Sequence, residues 1–254
     1  MNLLTEAART MGFALTTAHL RAFQLYYQEL MAWNERFNLT AITEYEHVQI
    51  RHLLDSLTCL LALGDCQSGR CQPGVPSAGM RLLDVGSGAG FPGLPLKILH
   101  PQLELTLLEA TAKKVGFLQH MTALLNLTNV TIFHGRAEEL GQDPAHRERY
   151  DLVVARAVAD LPVLVEYLLP FCRLGGRCVA QKGSSAHEEL SAAQYALSLL
   201  GGQVHYVLPV ELSGLAETRY LVVIDKKART PSPYPRRPGM PSKRPLLTPE
   251  AHSL

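Results

Sequence analysis

The chain is 254 residues long, 47% hydrophobic and 19% charged, with a formal net charge of +1. That length fits one large domain or a domain with an appended lobe. No apolar run approaches the ~18–20 residues that a membrane-spanning helix needs. A near-zero total argues against indiscriminate nucleic-acid binding, which draws on a basic excess. The total is nevertheless a cancellation: residues 226–254 carry seven Lys or Arg against one Glu, while residues 1–225 carry 17 basic and 22 acidic residues. The N-terminal stretch has acidic Glu6 and no basic-then-apolar signal pattern, so a soluble, cytosolic protein is expected, and a monomer.

In chain order, residues 1–63 read as a helical region. Gly12 stops a short first helix. Thr16 or Thr17 caps a second, in which Leu20, Phe23, Tyr27, Leu30, Met31 and Trp33 recur near helical spacing. A third runs from Glu44 to Leu63. Residues 64–80 are rich in Gly, Pro and Ser and read as a linker loop. Cys66 and Cys71 lie in it; a local bridge is open, although a reducing cytosol favours free thiols. No CxxC pair or His/Cys cluster accompanies them, so no metal is expected.

Residues 81–225 alternate strands and helices. The strands are Arg81–Val85, Glu104–Glu109, Val130–His134, Tyr150–Ala155, Gly176–Lys182, Val204–Val210 and Arg219–Asp225. The helices are Leu94–His100, Ala112–Leu125, Leu161–Cys172 and Ser185–Leu200. This alternation predicts βαβ units and a parallel sheet. The last two strands have only a turn-like link between them and predict a terminal antiparallel hairpin. Residues 226–254 hold seven of the sixteen prolines and predict an extended, mobile basic tail.

The strongest chemical signal is the segment from Leu82 to Gly93, where an apolar strand runs into a glycine-rich turn and a helix. Glycines at 86, 88, 90 and 93 permit positive φ and close backbone approach to a ligand, at the sheet edge where nucleotide-like cofactors bind. The spacing departs from the dinucleotide GxGxxG pattern. Asp84 suits a cofactor with a cationic amino group, which points to S-adenosylmethionine. Glu109 closes the second strand, where an acid contacts ribose hydroxyls. In Gly135-Arg136-Ala137-Glu138, Glu138 or a backbone group is placed to meet an adenine amine. After the fourth strand there is no Asn/Asp-Pro-Pro-aromatic loop for amine methylation and no Pro-Cys nucleophile for carbon methylation. Guanine N7 fits what remains, because its lone pair carries no proton and its attack needs alignment more than a base. Arg156 is placed to touch the cofactor, the guanine or a phosphate. Two rival readings are an NAD-dependent oxidoreductase, lacking its fingerprint here, and a non-catalytic RNA-binding module, which would have no use for the glycine loop.

These residues together resemble the ribosomal small-subunit RNA methyltransferase G family, also called glucose-inhibited division protein B. The likeness runs from Trp33-Asn34 and Asn38-Leu39-Thr40-Ala41-Ile42 through His52-Leu53-Leu54-Asp55-Ser56-Leu57. It continues through the glycine loop, Lys113-Lys114, Arg136-Ala137-Glu138, Ala155-Arg156-Ala157-Val158-Ala159 and Lys182-Gly183, to Tyr234–Gly239 and Pro245-Leu246. The resemblance implies a class I S-adenosylmethionine-dependent methyltransferase, an α/β Rossmann-like fold with a seven-stranded sheet and an N-terminal helical extension. It implies methyl transfer to N7 of a guanine in 16S ribosomal RNA, on the RNA or the small subunit. By position it implies that Gly86, Phe91, Glu109, Ala110, Thr111, Ala137, Glu138 and Arg156 line the cofactor site; the geometry of the turn adds Asp84 and Gly88. Arg136 and Lys182 are candidates for RNA or guanine contact, with Arg156 and Lys182 the candidates for a catalytic part. Arg236, Arg237, Lys243 and Arg244 are expected to touch RNA phosphates from a flexible arm. Deleting that arm is then expected to weaken RNA engagement and spare cofactor affinity. His52 and Asp55 are read as structural.

Overall fold

The computed structural model describes residues 1–64, 66–67, 70–212 and 217–248, without the side chains of 66, 67 and 70. The N-terminal region forms α1 (Asn2–Thr10), α2 (Thr17–Phe37) and a continuous helical stretch over 45–63, here α3. Thr16 starts α2 with a reciprocal capping box: its hydroxyl accepts from the His19 N–H, and His19 Nδ1 accepts from the Thr16 N–H, both at 3.2 Å. Each bond satisfies an N–H that a helix start leaves unpaired. Asn38 ends α2 in the left-handed region at φ 49°. Inside α3, Gln49–Leu54 is π-helical and Thr58–Leu63 is a 3₁₀ helix. Such irregular turns re-aim side chains within a helix and recur at functional sites.

The sheet strands are β1 (Arg81–Val85), β2 (Glu104–Glu109), β3 (Val130–His134), β4 (Tyr150–Arg156), β5 (Cys172–Lys182), β6 (Gly202–Val210) and β7 (Arg219–Lys226). Their spatial order is β3-β2-β1-β4-β5-β7-β6. The first five are parallel, β7 runs antiparallel to β5, and β6 lies antiparallel at the edge. The expected hairpin is therefore present, with its second strand inserted beside β5. The intervening helices are α4 (Gly93–Leu99), α5 (Ala112–Leu124), α6 (Ala137–Leu140), α7 (Leu161–Leu168), α8 (Ala186–Ala192) and α9 (Gln194–Leu200). The helix expected over 185–200 breaks into two at Ala193. The one expected over 161–172 ends four residues early, because Cys172 already pairs with Tyr150 in the sheet.

The sheet has a buried core on each face. One face packs Leu82, Leu105, Leu107, Val154 and Val223 against Leu4, Phe23, Leu30, Leu53, Leu57 and Leu60 of the N-terminal helices. The other packs Leu83, Val153, Ala180 and Val222 against Leu164, Leu168 and Leu197. The N-terminal helices thus supply one outer layer of the three-layer fold and complete a core that the strands would otherwise expose.

Two expectations need correction. The described part of the C-terminal segment, through residue 248, is a strap held against α7 and the 138–148 region and not an extended mobile tail; residues 249–254 lie outside the described residues. Lys226 is 1% exposed and donates to the carbonyls of Leu169 (2.9 Å) and Leu200 (3.1 Å). Arg236 donates from Nε to Oε1 (2.9 Å) and from Nη2 to Oε2 (2.7 Å) of fully buried Glu166. A bidentate pair of this kind ties a segment down whatever its proline content. The second correction concerns the linker: Cys66–Gln67 and Arg70–Cys71 form a short antiparallel ladder with Cys66 opposite Cys71. Cys71 is disulfide-bonded and not the free thiol expected, whereas Cys59, Cys172 and Cys178 are free. The Cys66 side chain lies outside the described atoms.

Candidate active site

In an open α/β sheet, ligands bind beyond the carboxyl ends of the strands where the strand order reverses. Here that point lies between β1 and β4, and the glycine loop leaves β1 there. Gly86, Gly88 and Gly90 all have positive φ, at 72°, 58° and 89°. A Cβ on Gly86 would lie 2.6 Å from Val158 Cγ2, so only glycine fits. At Gly88 nothing is nearer than 3.9 Å, so that side of the loop is open to a ligand.

Two acids brace the loop from beneath. Asp84 is fully buried, and its Oδ2 accepts the Gly93 N–H at 2.8 Å. Its Oδ1 has no hydrogen-bond partner among the described residues. Burial raises its pKa to about 7, against the lowering pull of the Gly93 hydrogen bond and Arg156. Glu109 accepts the Gly88 N–H on Oε2 and the Thr111 N–H on Oε1, both at 2.8 Å. Its carboxylate therefore clips the glycine loop to the start of α5. From α2, the Tyr26 hydroxyl donates to the Ala89 carbonyl, and its ring lies 5.3 Å from that of Phe91.

Two cavities meet at Gly86. The first, about 380 Å³, is lined by Thr40, Arg51, Phe91, Lys114, Arg156 and Lys182 among others. The second, about 260 Å³, is lined by Val85, Leu108, Ala110, Arg136, Ala137, Glu138, Tyr167 and Ser242 among others. The first has a cationic wall, and the second sets apolar Val85, Leu108, Ala110 and Val158 beside the polar groups of Arg136, Glu138, Tyr167 and Ser242. Two cavities so lined match S-adenosylmethionine in its parts: a zwitterionic amino-acid end against the glycine loop, and a purine against the apolar side chains beside Glu138. The unpartnered Asp84 Oδ1 and the open side of Gly88 are the local signs of fit.

Among the residues named from sequence, Gly86, Gly88, Phe91, Arg156 and Lys182 line the first cavity, and Gly86, Ala110, Arg136, Ala137 and Glu138 line the second. Asp84, Glu109 and Thr111 stand behind the walls. Arg136 lies on the purine side, away from Arg156. Lys182 is not a free cation: its Nζ donates to the Ala159 carbonyl at 2.9 Å and pairs with Glu189 Oε2 at 2.5 Å. Arg236, held by Glu166, is likewise not free to reach a phosphate. Arg237, Lys243 and Arg244 are exposed on the strap. Sequence reasoning misses Arg51, Lys114 and Arg219, which all line the first cavity and have no ion-pair partner among the described residues. Lone cations in three separate elements carry no spacing signal; only the fold gathers them.

Arg156 is the hub of the first cavity. Its Nη1 donates to Asp55 Oδ2 and to the Arg51 carbonyl, both at 2.9 Å, and its Nη2 lies 3.1 Å from His52 Nδ1. His52 Nε2 is 2.8 Å from the Thr40 hydroxyl, and the imidazole stacks on Phe91 at 4.5 Å. The His52–Asp55 pair thus forms the seat of Arg156. Burial and then Arg156 push the His52 pKa down to about 3, so the ring is neutral. Its folded pKa lies below the ordinary 6.5, so the unfolded chain binds the extra proton between those values. Stability from this group is present above pH 6.5 and lost as pH falls toward 3. His52→Gln is expected to flatten the fall in melting temperature between pH 7 and pH 5; an unchanged slope would show that His52 is not the group responsible.

The family model described as rRNA small subunit methyltransferase G (GidB) matches residues 19–213. The chain belongs to this family. The ribosomal RNA small subunit methyltransferase G of Roseiflexus castenholzii is 52% identical over 247 residues, covering 97% of this chain and all of that protein. Its counterpart in Dehalococcoides mccartyi is 48% identical over 97% of this chain and all of its own length. Among solved structures, a candidate O-methyltransferase from Klebsiella pneumoniae has a TM-score of 0.52 at 16% identity, covering 80% of this chain and 90% of that one. The likeness is in fold. Membership and architecture agree with the class I methyltransferase expected from the glycine loop and the terminal hairpin. Among the described residues no helix is long and apolar enough to cross a membrane.

Proposed function

We propose that this chain transfers the methyl group of S-adenosylmethionine to N7 of a guanine in 16S ribosomal RNA. The observation that supports it best is a pair of cavities that share Gly86 of the glycine loop, one with a cationic wall and the other with apolar side chains beside the Glu138 carboxylate. The cofactor supplies a methyl on a sulfonium, an electrophile that needs no further activation. Guanine N7 offers an in-plane lone pair and loses no proton, so the protein is asked for alignment and charge placement and not for a general base. The first cavity fits that demand. His52 is neutral and occupied by Thr40 and Arg156, and Glu189 is tied to Lys182, Ser185 and the Leu161 N–H.

Arg51, Lys114 and Arg219 face the cavity with uncompensated charge and serve the RNA backbone around the target base. Phosphate contacts set register, while RNA shape and the cavity select the base. The protein acts as a monomer in the cytoplasm, on the RNA or the small subunit. The test is incubation with methyl-tritiated S-adenosylmethionine and separated small- and large-subunit RNA, followed by nucleoside chromatography. Label eluting as 7-methylguanosine from small-subunit RNA is expected. Label in any other nucleoside would reject the acceptor atom, and equal labelling of both RNAs would reject the substrate.

A further inference from the structure

The strap that follows β7 runs across the 141–148 loop and α7 to the second cavity. Three groups anchor its first half. The Arg147 guanidinium donates to the carbonyls of Thr230 (2.7 Å), Pro231 (3.1 Å) and Tyr234 (2.6 Å). Gln142 Nε2 donates to the Pro235 carbonyl at 2.7 Å, and Arg236 is gripped by Glu166. Beyond these anchors the strap reaches the second cavity. The Gly239 N–H donates to Glu138 Oε1 at 2.9 Å. The short helix α10 (Met240–Lys243) follows, and its Ser242 hydroxyl lies 3.1 Å from that of Tyr167. Tyr167, Ser242 and Glu138 all line the cavity.

Glu138 is only 5% exposed, and the Gly239 N–H is its carboxylate's only hydrogen-bond donor among the described residues. A buried acceptor with a single fixed donor is oriented by it, and its other oxygen is left for a donor on a ligand. An adenine amine is such a donor. A hypoxanthine carbonyl in the same place would face the carboxylate as acceptor against acceptor.

We infer that the strap from Gly239 onward is a positioning element for the cofactor: it closes the second cavity and aims Glu138 so that the site selects adenine over hypoxanthine. This rests on assigning the second cavity to the adenosyl end. It departs from the expectation that deleting the C-terminal segment spares cofactor affinity.

The experiment measures binding of S-adenosylhomocysteine and of its inosine analogue by calorimetry, with a melting curve for each protein. The proteins are the full chain, a chain ending at Pro238, and the full-length variants Glu138→Gln and Gly239→Ala. The full chain is expected to prefer the adenosine ligand at least tenfold. The shortened chain keeps the anchors at Arg147, Gln142 and Glu166, so its melting temperature is expected to stay close to that of the full chain while the preference falls severalfold. Glu138→Gln presents an amide donor and is expected to lose the preference on an intact strap, while full-length Gly239→Ala, strained at φ 79° where the strap donates to Glu138, is expected to lower it severalfold and tests the strap should the shortened chain unfold. Unchanged preference in the folded shortened chain or in folded Gly239→Ala would overturn the role of the strap, and unchanged preference in Glu138→Gln would overturn Glu138 as the group it aims. Failure of the full chain to bind either ligand would instead overturn the assignment of the cavity.

Discussion

Asp84→Ala is expected to weaken S-adenosylmethionine binding by more than tenfold in calorimetry, about 1.4 kcal/mol or more. The reason is local. Asp84 touches the loop through the Gly93 N–H, and the alanine variant leaves that buried donor unpaired, at a cost of about 1–3 kcal/mol. The glycine loop then loses the brace that holds Gly86 and Gly88 open toward the ligand. Asp84→Asn separates the brace from the charge. Its amide oxygen still accepts from Gly93, so the loop is kept, while the negative charge beneath the loop is gone.

The two Asp84 variants also differ in pH dependence. Burial raises the folded pKa of Asp84 from 3.8 to about 7, so the folded chain binds the extra proton between those values. Stability from this group is present below pH 3.8 and lost as pH rises through 7. Asp84→Asn is expected to remove that loss, gaining on the wild type between pH 5 and pH 8 in thermal melts. Wild-type cofactor affinity in Asp84→Ala, or a wild-type pH slope in Asp84→Asn, would show that the carboxylate does not act in this way.

Arg156→Ala is expected to have the largest effect on stability and to abolish methyl transfer. Its partner Asp55 is 1% exposed on the side chain, and Arg156 itself only 11%. Removing one member of a buried pair leaves an uncompensated charge and costs about 3–5 kcal/mol, or a fall in melting temperature of about 10 °C for a chain this size. Arg156→Lys is not expected to rescue, because a single ammonium cannot reproduce the fork that reaches Asp55, the Arg51 carbonyl and His52. The double variant Asp55→Ala with Arg156→Ala removes both charges and is expected to recover much of the stability. Methyl transfer is expected to stay lost, since the guanidinium also lines the first cavity. Transfer returning together with stability would make Arg156 a structural residue only.

The parts of the molecule that the sequence displays are those whose physics is local. Aliphatic runs such as Leu152–Ala155 in β4 and Leu221–Ile224 in β7 locate the strands, because a sheet covered on both faces needs continuous apolar segments. The glycine loop is legible because positive φ at 86, 88 and 90 admits few other residues. The strap is illegible for the opposite reason. Its prolines remove donors and suppress periodicity, and what orders it is Arg147, Glu166 and Glu138, distant in sequence. The same holds for charge: of the seven C-terminal Lys and Arg, Lys226 is buried and Arg236 is paired, so the surplus counted from composition overstates what faces solvent. His52 and Asp55 are structural in kind, as expected, but their seat for Arg156 depends on the irregular turn inside α3, which no spacing rule announces.

The most direct measurement is mass spectrometry of 16S ribosomal RNA from cells that lack their own family enzyme and express this chain or its Arg156→Ala variant. The proposed function predicts 7-methylguanosine at a single position with the wild-type chain and none with the variant. Small-subunit RNA without that nucleoside, from cells containing the folded wild-type protein, would contradict it.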